Sequence, residues 1–340
     1  MSTATAIEPS LGELVDRALG HDPYAVATLV SVFQDRREPA VARRRAVMSA
    51  LDGVASRRDA AVIGITGAPG SGKSSLLARL TDELLRADAE LTIAVLAVDP
   101  SSPISGGALL GDRTRMRATT DPRLYFRSEA ADAELGGLSP SSFHVCRLLS
   151  RLFDCVVVET VGIGQSEADI RQLADYVYLV LAPLGGDELQ LMKAGIVEIP
   201  DAFVVNKSDE PSSRRTHRQL CANLWLARPA DGGALPIYLT SARTGAGIGE
   251  LSAALAGQIA GGPVADRAGR DRYFLERWVK DEWGRAGLAH LRAALGGAGA
   301  ALDRAGDLDA AAREFAQGFR RAIGTTRDKR HETNDMRQTT

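Results

Sequence analysis

Apolar residues near the start of the chain recur at helical spacing. Leu11, Leu14, Val15 and Leu19 form one set, and Val26, Leu29, Val30 and Phe33 a second, each the stripe of an amphipathic helix. His21-Asp22-Pro23 breaks the pattern between them, and Arg43-Arg44-Arg45 is expected to decorate a solvated helix face. From Ala61 the rhythm changes. Short apolar runs (Ala61–Thr66, Leu91–Val98, Cys155–Val158, Tyr176–Leu181, Ala202–Val205 and Pro236–Leu239) alternate with helical patterns. Continuous rather than alternating hydrophobicity marks strands buried on both faces, so a mostly parallel sheet is predicted. The fold class is therefore α/β, doubly wound, with ligand at the carboxyl ends of the strands.

Gly261-Gly262-Pro263 closes that region. Tyr273, Phe274, Trp278, Trp283, Leu288 and Leu291 then mark a helix-rich arm, with more helix over Ala310–Ile323. Such an arm is too short to bury a large core alone and is expected to pack on the main domain or on a second subunit. Residues 325–340 carry no apolar period and are expected to form a disordered tail. The predicted domains are an N-terminal helical extension (1–58), a nucleotide-binding domain (59–262), a C-terminal helical arm (263–324) and the tail (325–340).

Composition narrows the function. In 340 residues, 41 Lys and Arg stand against 43 Asp and Glu, a net charge of −2. A near-neutral balance offers no polybasic footprint, so neither nucleic acid nor an anionic membrane surface is an expected partner. The N-terminus lacks the basic start and apolar core of a secretory signal, and no apolar run approaches the roughly 20 residues that span a bilayer. Three cysteines, Cys146, Cys155 and Cys221, make neither a disulfide framework nor a CxxC metal site. A cytoplasmic protein is expected.

The sharpest motif is Gly67-Ala68-Pro69-Gly70-Ser71-Gly72-Lys73-Ser74, followed by Ser75. It fits GxxxxGK[ST] and stands after a predicted strand and before a predicted helix, where a phosphate-binding loop must stand. Its glycines let consecutive backbone N–H groups turn toward a phosphate at a helix N-terminus. Lys73 would reach the β- and γ-phosphates, and the Ser74 hydroxyl would ligate Mg²⁺. Asn206-Lys207-Ser208-Asp209 follows the strand Ala202–Val205. A carboxylate there accepts from two guanine N–H groups, where adenine offers one amino donor, so the nucleotide is predicted to be GTP or GDP. Thr240-Ser241-Ala242-Arg243 follows the next strand and completes the pattern. Three acids could finish a Mg²⁺ site: Asp99 and Glu159 at strand ends, and Asp112 in a glycine-rich loop. The Trp278 and Trp283 stripe reads as core or dimer packing, and the histidines form no ligand cluster.

Three longer motifs carry a family resemblance. They are Val98-Asp-Pro-Ser-Ser-Pro with Leu110-Gly-Asp-Arg-Thr-Arg-Met116, Val158-Glu-Thr-Val-Gly-Ile-Gly-Gln-Ser-Glu167, and Gly186-Asp-Glu-Leu-Gln190 with Lys193-Ala-Gly-Ile. Over residues 25–255 the chain resembles the methylmalonyl-CoA mutase-associated GTPases, of the SIMIBI class of P-loop proteins. The resemblance implies helical extensions at both ends and a dimerising C-terminal arm, hence a homodimer. It also implies an adenosylcobalamin-dependent acyl-CoA mutase as partner, and GTP hydrolysis that is slow alone and faster in complex. The GTP cycle would gate cofactor loading and release. By carry-over, residues 67–75 hold the phosphates, and Asn206, Lys207, Asp209 and Ser241–Arg243 surround guanine. Ser74, Asp99, Asp112 and Glu159 match the Mg²⁺ site, and Val161–Glu167 and Gly185–Lys193 match two switches. Asp112 and Gln165 are candidates to orient the attacking water, beside Lys73.

Two departures stand out. Ala131–Glu134 occupies the place of an Arg-Gly pair usual before Leu135-Gly-Gly, and Leu184-Gly-Gly replaces Gly-small-Gly before Asp187. Loss of a cation there predicts low intrinsic turnover. The rival on the same fold is GTP-dependent metal delivery in metalloenzyme maturation. That job needs soft ligands near the switches, which this sequence lacks. A kinase would need an acceptor pocket and usually ATP, against which Asp209 argues. A nucleotide-binding module without turnover is a further alternative.

Overall fold

The computed structural model describes residues 10–35, 37–54, 60–99, 121–130, 138–160, 166–183, 199–227, 235–264 and 266–338. The chain divides into two compact units, Met1–Asp35 with Ala50–Ala265, and Arg36–Ser49 with Asp266–Thr340. The stretch predicted as one N-terminal extension is thus shared between them.

The first unit is built on a seven-stranded sheet in the order β3-β2-β4-β1-β5-β6-β7. The strands are β1 (Ala61–Thr66), β2 (Ile93–Asp99), β3 (Leu124–Ala130), β4 (Cys155–Thr160), β5 (Tyr176–Leu181), β6 (Ala202–Val205) and β7 (Ile237–Leu239). Every pairing is parallel. All carboxyl ends therefore meet along one edge. Burial explains why most of the strands are legible. β1, β4 and β6 are buried throughout, whereas β3, at the sheet edge, is almost wholly half-buried and was not predicted.

An aspartate immediately precedes each of β4, β5 and β6 and accepts an amide at the start of a neighbouring strand. Asp154 takes Thr92 N at 2.9 Å, Asp175 takes Val62 N at 2.7 Å, and Asp201 takes Val177 N at 2.7 Å. Each carboxylate supplies an acceptor that the ladder lacks at that end, which helps set register far from the ligand edge.

The helices of this unit are α1 (Leu11–Leu19), α2 (Pro23–Gln34), the last turn of α3 (Glu38–Asp52), α4 (Lys73–Ala87), α5 (Pro140–Leu152), α6 (Ser166–Leu173), α7 (Ser213–Ala227) and α8 (Ile248–Gly261). Ser10 and Glu13 form a capping box on α1. His21 takes a left-handed φ of 59°, then Asp22 caps α2 and Pro23 fills its first position, so the predicted break has a stereochemical cause. One sheet face is covered by Leu76, Leu77, Leu80 and Leu84 of α4 with Leu251 and Leu255 of α8. A second cluster packs Leu220 and Leu224 of α7 against Leu179, Leu181, Phe203 and Val205. Val26, Leu29, Val30 and Phe33 of α2 are buried, and α2 packs on α5.

The second unit contains most of α3 with α9 (Arg267–Leu295), α10 (Ala298–Ala305) and α11 (Leu308–Gln338). It holds its own aromatic core: Phe315 meets Trp278 and Trp283 edge-on, and Trp283 also meets Phe319. Two expectations change. Arg44 is not solvated but buried, paired with Asp309 at 3.0 Å, while Arg45 meets Asp307 at 3.2 Å. The backbone of α11 is helical to Gln338, through residues predicted as tail. Within it Arg327, Lys329, Arg330, Glu332, Met336, Arg337 and Gln338 are residues of good intrinsic helix propensity, which supports helix without an apolar period.

Candidate functional site

β1 ends at Thr66 and α4 begins at Lys73, so Gly67–Gly72 forms the turn between them. Gly67, Gly70 and Gly72 have φ of 143°, 82° and 86°, a region that side chains enter only at a cost. Close approach adds a second requirement. A Cβ on Gly67 would lie 2.1 Å from the Val180 carbonyl oxygen, and one on Gly72 would lie 2.5 Å from Asn206 Nδ2. Lys73 is buried at the helix start, and its ammonium donates to Gly67 O at 2.7 Å and Ala68 O at 3.1 Å. The cation thus lies over the loop.

Ser74, one residue on, donates its hydroxyl to Glu159 Oε1 at 2.8 Å. Glu159 is buried near the end of β4, beside Ile65 of β1 and Ala97 of β2. Asp99 is the last residue of β2, whose Val98 pairs with Thr160, so its backbone stands at the same edge. Ser74 and Glu159 offer hard oxygen donors, the type Mg²⁺ takes. Asp112 and Gln165 lie outside the described residues, as do Ala131–Glu134, Leu184–Lys193 and most of Val161–Glu167.

Asn206, Lys207 and Asp209 follow β6, and Ser241–Arg243 follow β7. Backbone bonds hold these loops together: Ser208 N to Thr240 O at 2.8 Å and Thr240 N to Val205 O at 2.9 Å. Asn206 is almost wholly buried and ties both loops to the turn after β1. Its Nδ2 donates to Ser71 O at 3.0 Å and Gly72 O at 3.3 Å, while Oδ1 accepts Ala242 N at 3.3 Å and the Thr240 hydroxyl at 3.4 Å. Lys207 is held at a φ of 55°, uncommon for a residue with a side chain and concentrated at functional turns. The Ser241 hydroxyl and Arg243 both donate to the Asp209 carboxylate and hold its pKa below the usual range, Ser241 contributing most.

Within the first unit a cavity of about 570 Å³ opens between the glycine turn and these loops, lined by Gly72, Ser75, Asn206, Lys207, Asp209 and Arg243, among others. Its volume suits a small-molecule ligand. The sequence motifs therefore converge: the end of the glycine turn and the Asp209 carboxylate face one space. Glu210, also on its wall, was not anticipated. Arg79 of α4, which donates to Ala242 O at 3.1 Å, was also missed. Neither sits in a motif, and Arg79 is far from Ala242 in sequence.

A glycine turn opening a helix at the carboxyl edge of a parallel sheet, with an Asn-Lys-x-Asp loop beside it, defines a P-loop protein of the GTPase class. Residues 26–273 match the family described as methylmalonyl Co-A mutase-associated GTPase MeaB, and the chain belongs to that family. It is a GTPase and binds guanine nucleotide. A Pyrococcus horikoshii protein whose name calls it a GTPase is 42% identical over 246 residues, covering 71% of this chain and 75% of that one. A Caenorhabditis briggsae protein named methylmalonic aciduria type A homolog, mitochondrial, is 32% identical over 240 residues, 67% of this chain and 58% of that one. The crystal structure of an LAO/AO transport system kinase shares the fold, with a TM-score of 0.55 at 23% identity over 85% of this chain and 88% of that one. No helix among the described residues is long and apolar enough to cross a membrane.

Proposed function

We propose that the chain is a GTP-dependent chaperone of an adenosylcobalamin-dependent acyl-CoA mutase, gating loading and release of the mutase cofactor. The observation that carries this reading is the family match, which spans the glycine turn, Glu159, Asn206–Asp209 and Ser241–Arg243 within residues 26–273. The type A homologue name of a relative supports the mutase as client. We place the protein in the cytoplasm as a homodimer formed through the C-terminal arm, without nucleic acid or membrane partners.

In the proposed reaction GTP loses its terminal phosphoryl group to water. Gly67–Ser75 supply backbone N–H groups and a helix N-terminus to the phosphates, and Lys73 transfers its ammonium from the Gly67 and Ala68 carbonyls to the β/γ-phosphate region. Ser74 and Glu159, with Asp99 and Asp112, would hold Mg²⁺, which supplies neutralisation of developing phosphate charge. The oxygen pair at 2.8 Å supports that donor set. Asp209 accepts the guanine N–H groups, Asn206 keeps the loops in register, and Ser241, Ala242 and Arg243 border the base. Asp112 and Gln165 remain candidates to orient water.

GTP hydrolysis measured alone and with each candidate mutase, with ATP as control, tests the reading. Acceleration by one mutase identifies the client. Equal rates with and without every mutase would refute the chaperone role and return metal delivery to consideration.

A further inference from the structure

Two donors reach the Asp209 carboxylate, and they differ in standing. Ser241 reaches Oδ1; it is wholly buried, and its hydroxyl oxygen accepts Thr244 N at 3.1 Å, which fixes it in its loop. Arg243 reaches Oδ2 through Nη2, yet its side chain is 78% exposed and borders the cavity. One donor is built in, and the other can leave.

The chemistry of the leaving donor matters. A guanidinium is a planar fork of N–H groups. Guanine presents a similar fork, N1–H beside the 2-amino group, and a carboxylate can receive either one edge-on. Asp209, 17% exposed, lines the cavity, and Arg243, also on its wall, already occupies Oδ2.

We propose that Arg243 is an internal competitor for guanine at Asp209, leaving Oδ2 when the base docks and returning as it departs. The inference rests on Asp209 being the guanine acceptor. It deepens that reading by giving nucleotide exchange a device within the site itself: the carboxylate is never stranded when the base leaves, so release is eased. An exposed ion pair contributes little, so the competition is worth about two- to fivefold in affinity. Screening weakens it further as salt rises.

The test uses the full chain and GDP. Affinity is measured by calorimetry and dissociation by stopped flow with ribose-labelled GDP, for wild type, Arg243→Ala, Asp209→Asn and the double variant, at low salt and in 0.5 M KCl. Arg243→Ala is expected to bind GDP about two- to fivefold tighter at low salt, chiefly through slower dissociation. The gap should close in high salt and vanish in the Asp209→Asn background, a coupling that a merely structural role would not produce. Weaker or unchanged GDP binding by Arg243→Ala at low salt would overturn the proposal. If Asp209→Asn lost guanine while Arg243→Ala changed nothing, only the competitor role would fall. If Asp209→Asn bound GDP like wild type, the guanine-acceptor reading itself would fall with it.

Discussion

Asn206→Ala removes the side chain that joins the glycine turn to both loops of the base side. Its shortest bond, to Ser71 O at 3.0 Å, is of normal length, and those to Gly72 O and Ala242 N at 3.3 Å are weaker. The change strips the buried Ser71 carbonyl and the half-buried Ala242 amide of these partners, and a stranded buried group costs about 1–3 kcal/mol. Discounting the longer contacts, the expected loss is about 2–4 kcal/mol, a large share of a typical domain stability of roughly 5–15 kcal/mol. Urea unfolding measures the loss, and calorimetry with GDP measures its effect on the site, since the two loops and the turn line one cavity. Affinity is expected to fall with stability. Asn206→Asp keeps the shape but turns a carboxylate toward two carbonyl oxygens. It should lose at least as much at pH 7 and recover in acid, because a buried acid with raised pKa stabilises only while protonated. A stability loss under about 0.5 kcal/mol, typical of an indifferent surface site, would refute the strut. A large loss with unchanged GDP affinity would refute its link to the cavity.

Other expectations follow from the same contacts. Lys73→Ala should weaken GTP binding by at least about 100-fold through loss of charge-assisted bonds to phosphate; unchanged affinity in a filter-binding assay would contradict the loop assignment. Asp209→Asn should shift preference from guanosine toward xanthosine nucleotides, read by competition. Because Ser241 and Arg243 hold the Asp209 pKa low, its contribution is present above the ordinary carboxylate value and lost as pH falls through the lowered one. Guanine preference should therefore be flat from about pH 5 to 8. Glu129 behaves oppositely. Burial raises its pKa, against bonds from Ser142 and Gln34 and the charge of Arg127. Its contribution is complete below the unfolded value of 4.5 and is lost as pH rises toward the folded one. Glu129→Gln should thus gain on wild type in urea unfolding between acid and pH 8, and a gap independent of pH would reject the account.

The parts legible in the sequence were those written locally. Most strands announced themselves because both faces are buried, leaving runs such as Cys155–Val158 without a polar interruption, whereas β7, half-buried to exposed, was legible only from its own short apolar run. β3 was illegible for the opposite reason: Arg127, Ser128 and Glu129 interrupt it, and the Glu129 carboxylate accepts from Gln34, 95 positions away. The glycine turn could be recognised from spacing alone, since its backbone requirements are carried by its own residues. Asn206 was visible as a motif letter, but its role as a strut depends on Ser71, 135 residues earlier. Arg44 shows the same limit. A basic triplet looks solvated until Asp309, 265 residues later, is brought against it. The Asp154, Asp175 and Asp201 caps were readable in principle, since each acid directly precedes an apolar run.

That same separation acquires a meaning in time when the protein is made. The ribosome adds roughly 5–20 residues per second. Arg44 therefore waits roughly 13–50 s before Asp309, 265 positions downstream, has been synthesised. Over that interval the guanidinium must remain hydrated and most of α3 has no native unit to join, since its companions begin only at Asp266. By Ala265 every strand of the sheet already exists. Synthesis order thus favours a nascent chain whose nucleotide fold forms first, while an early helix is kept in reserve until the last segment emerges.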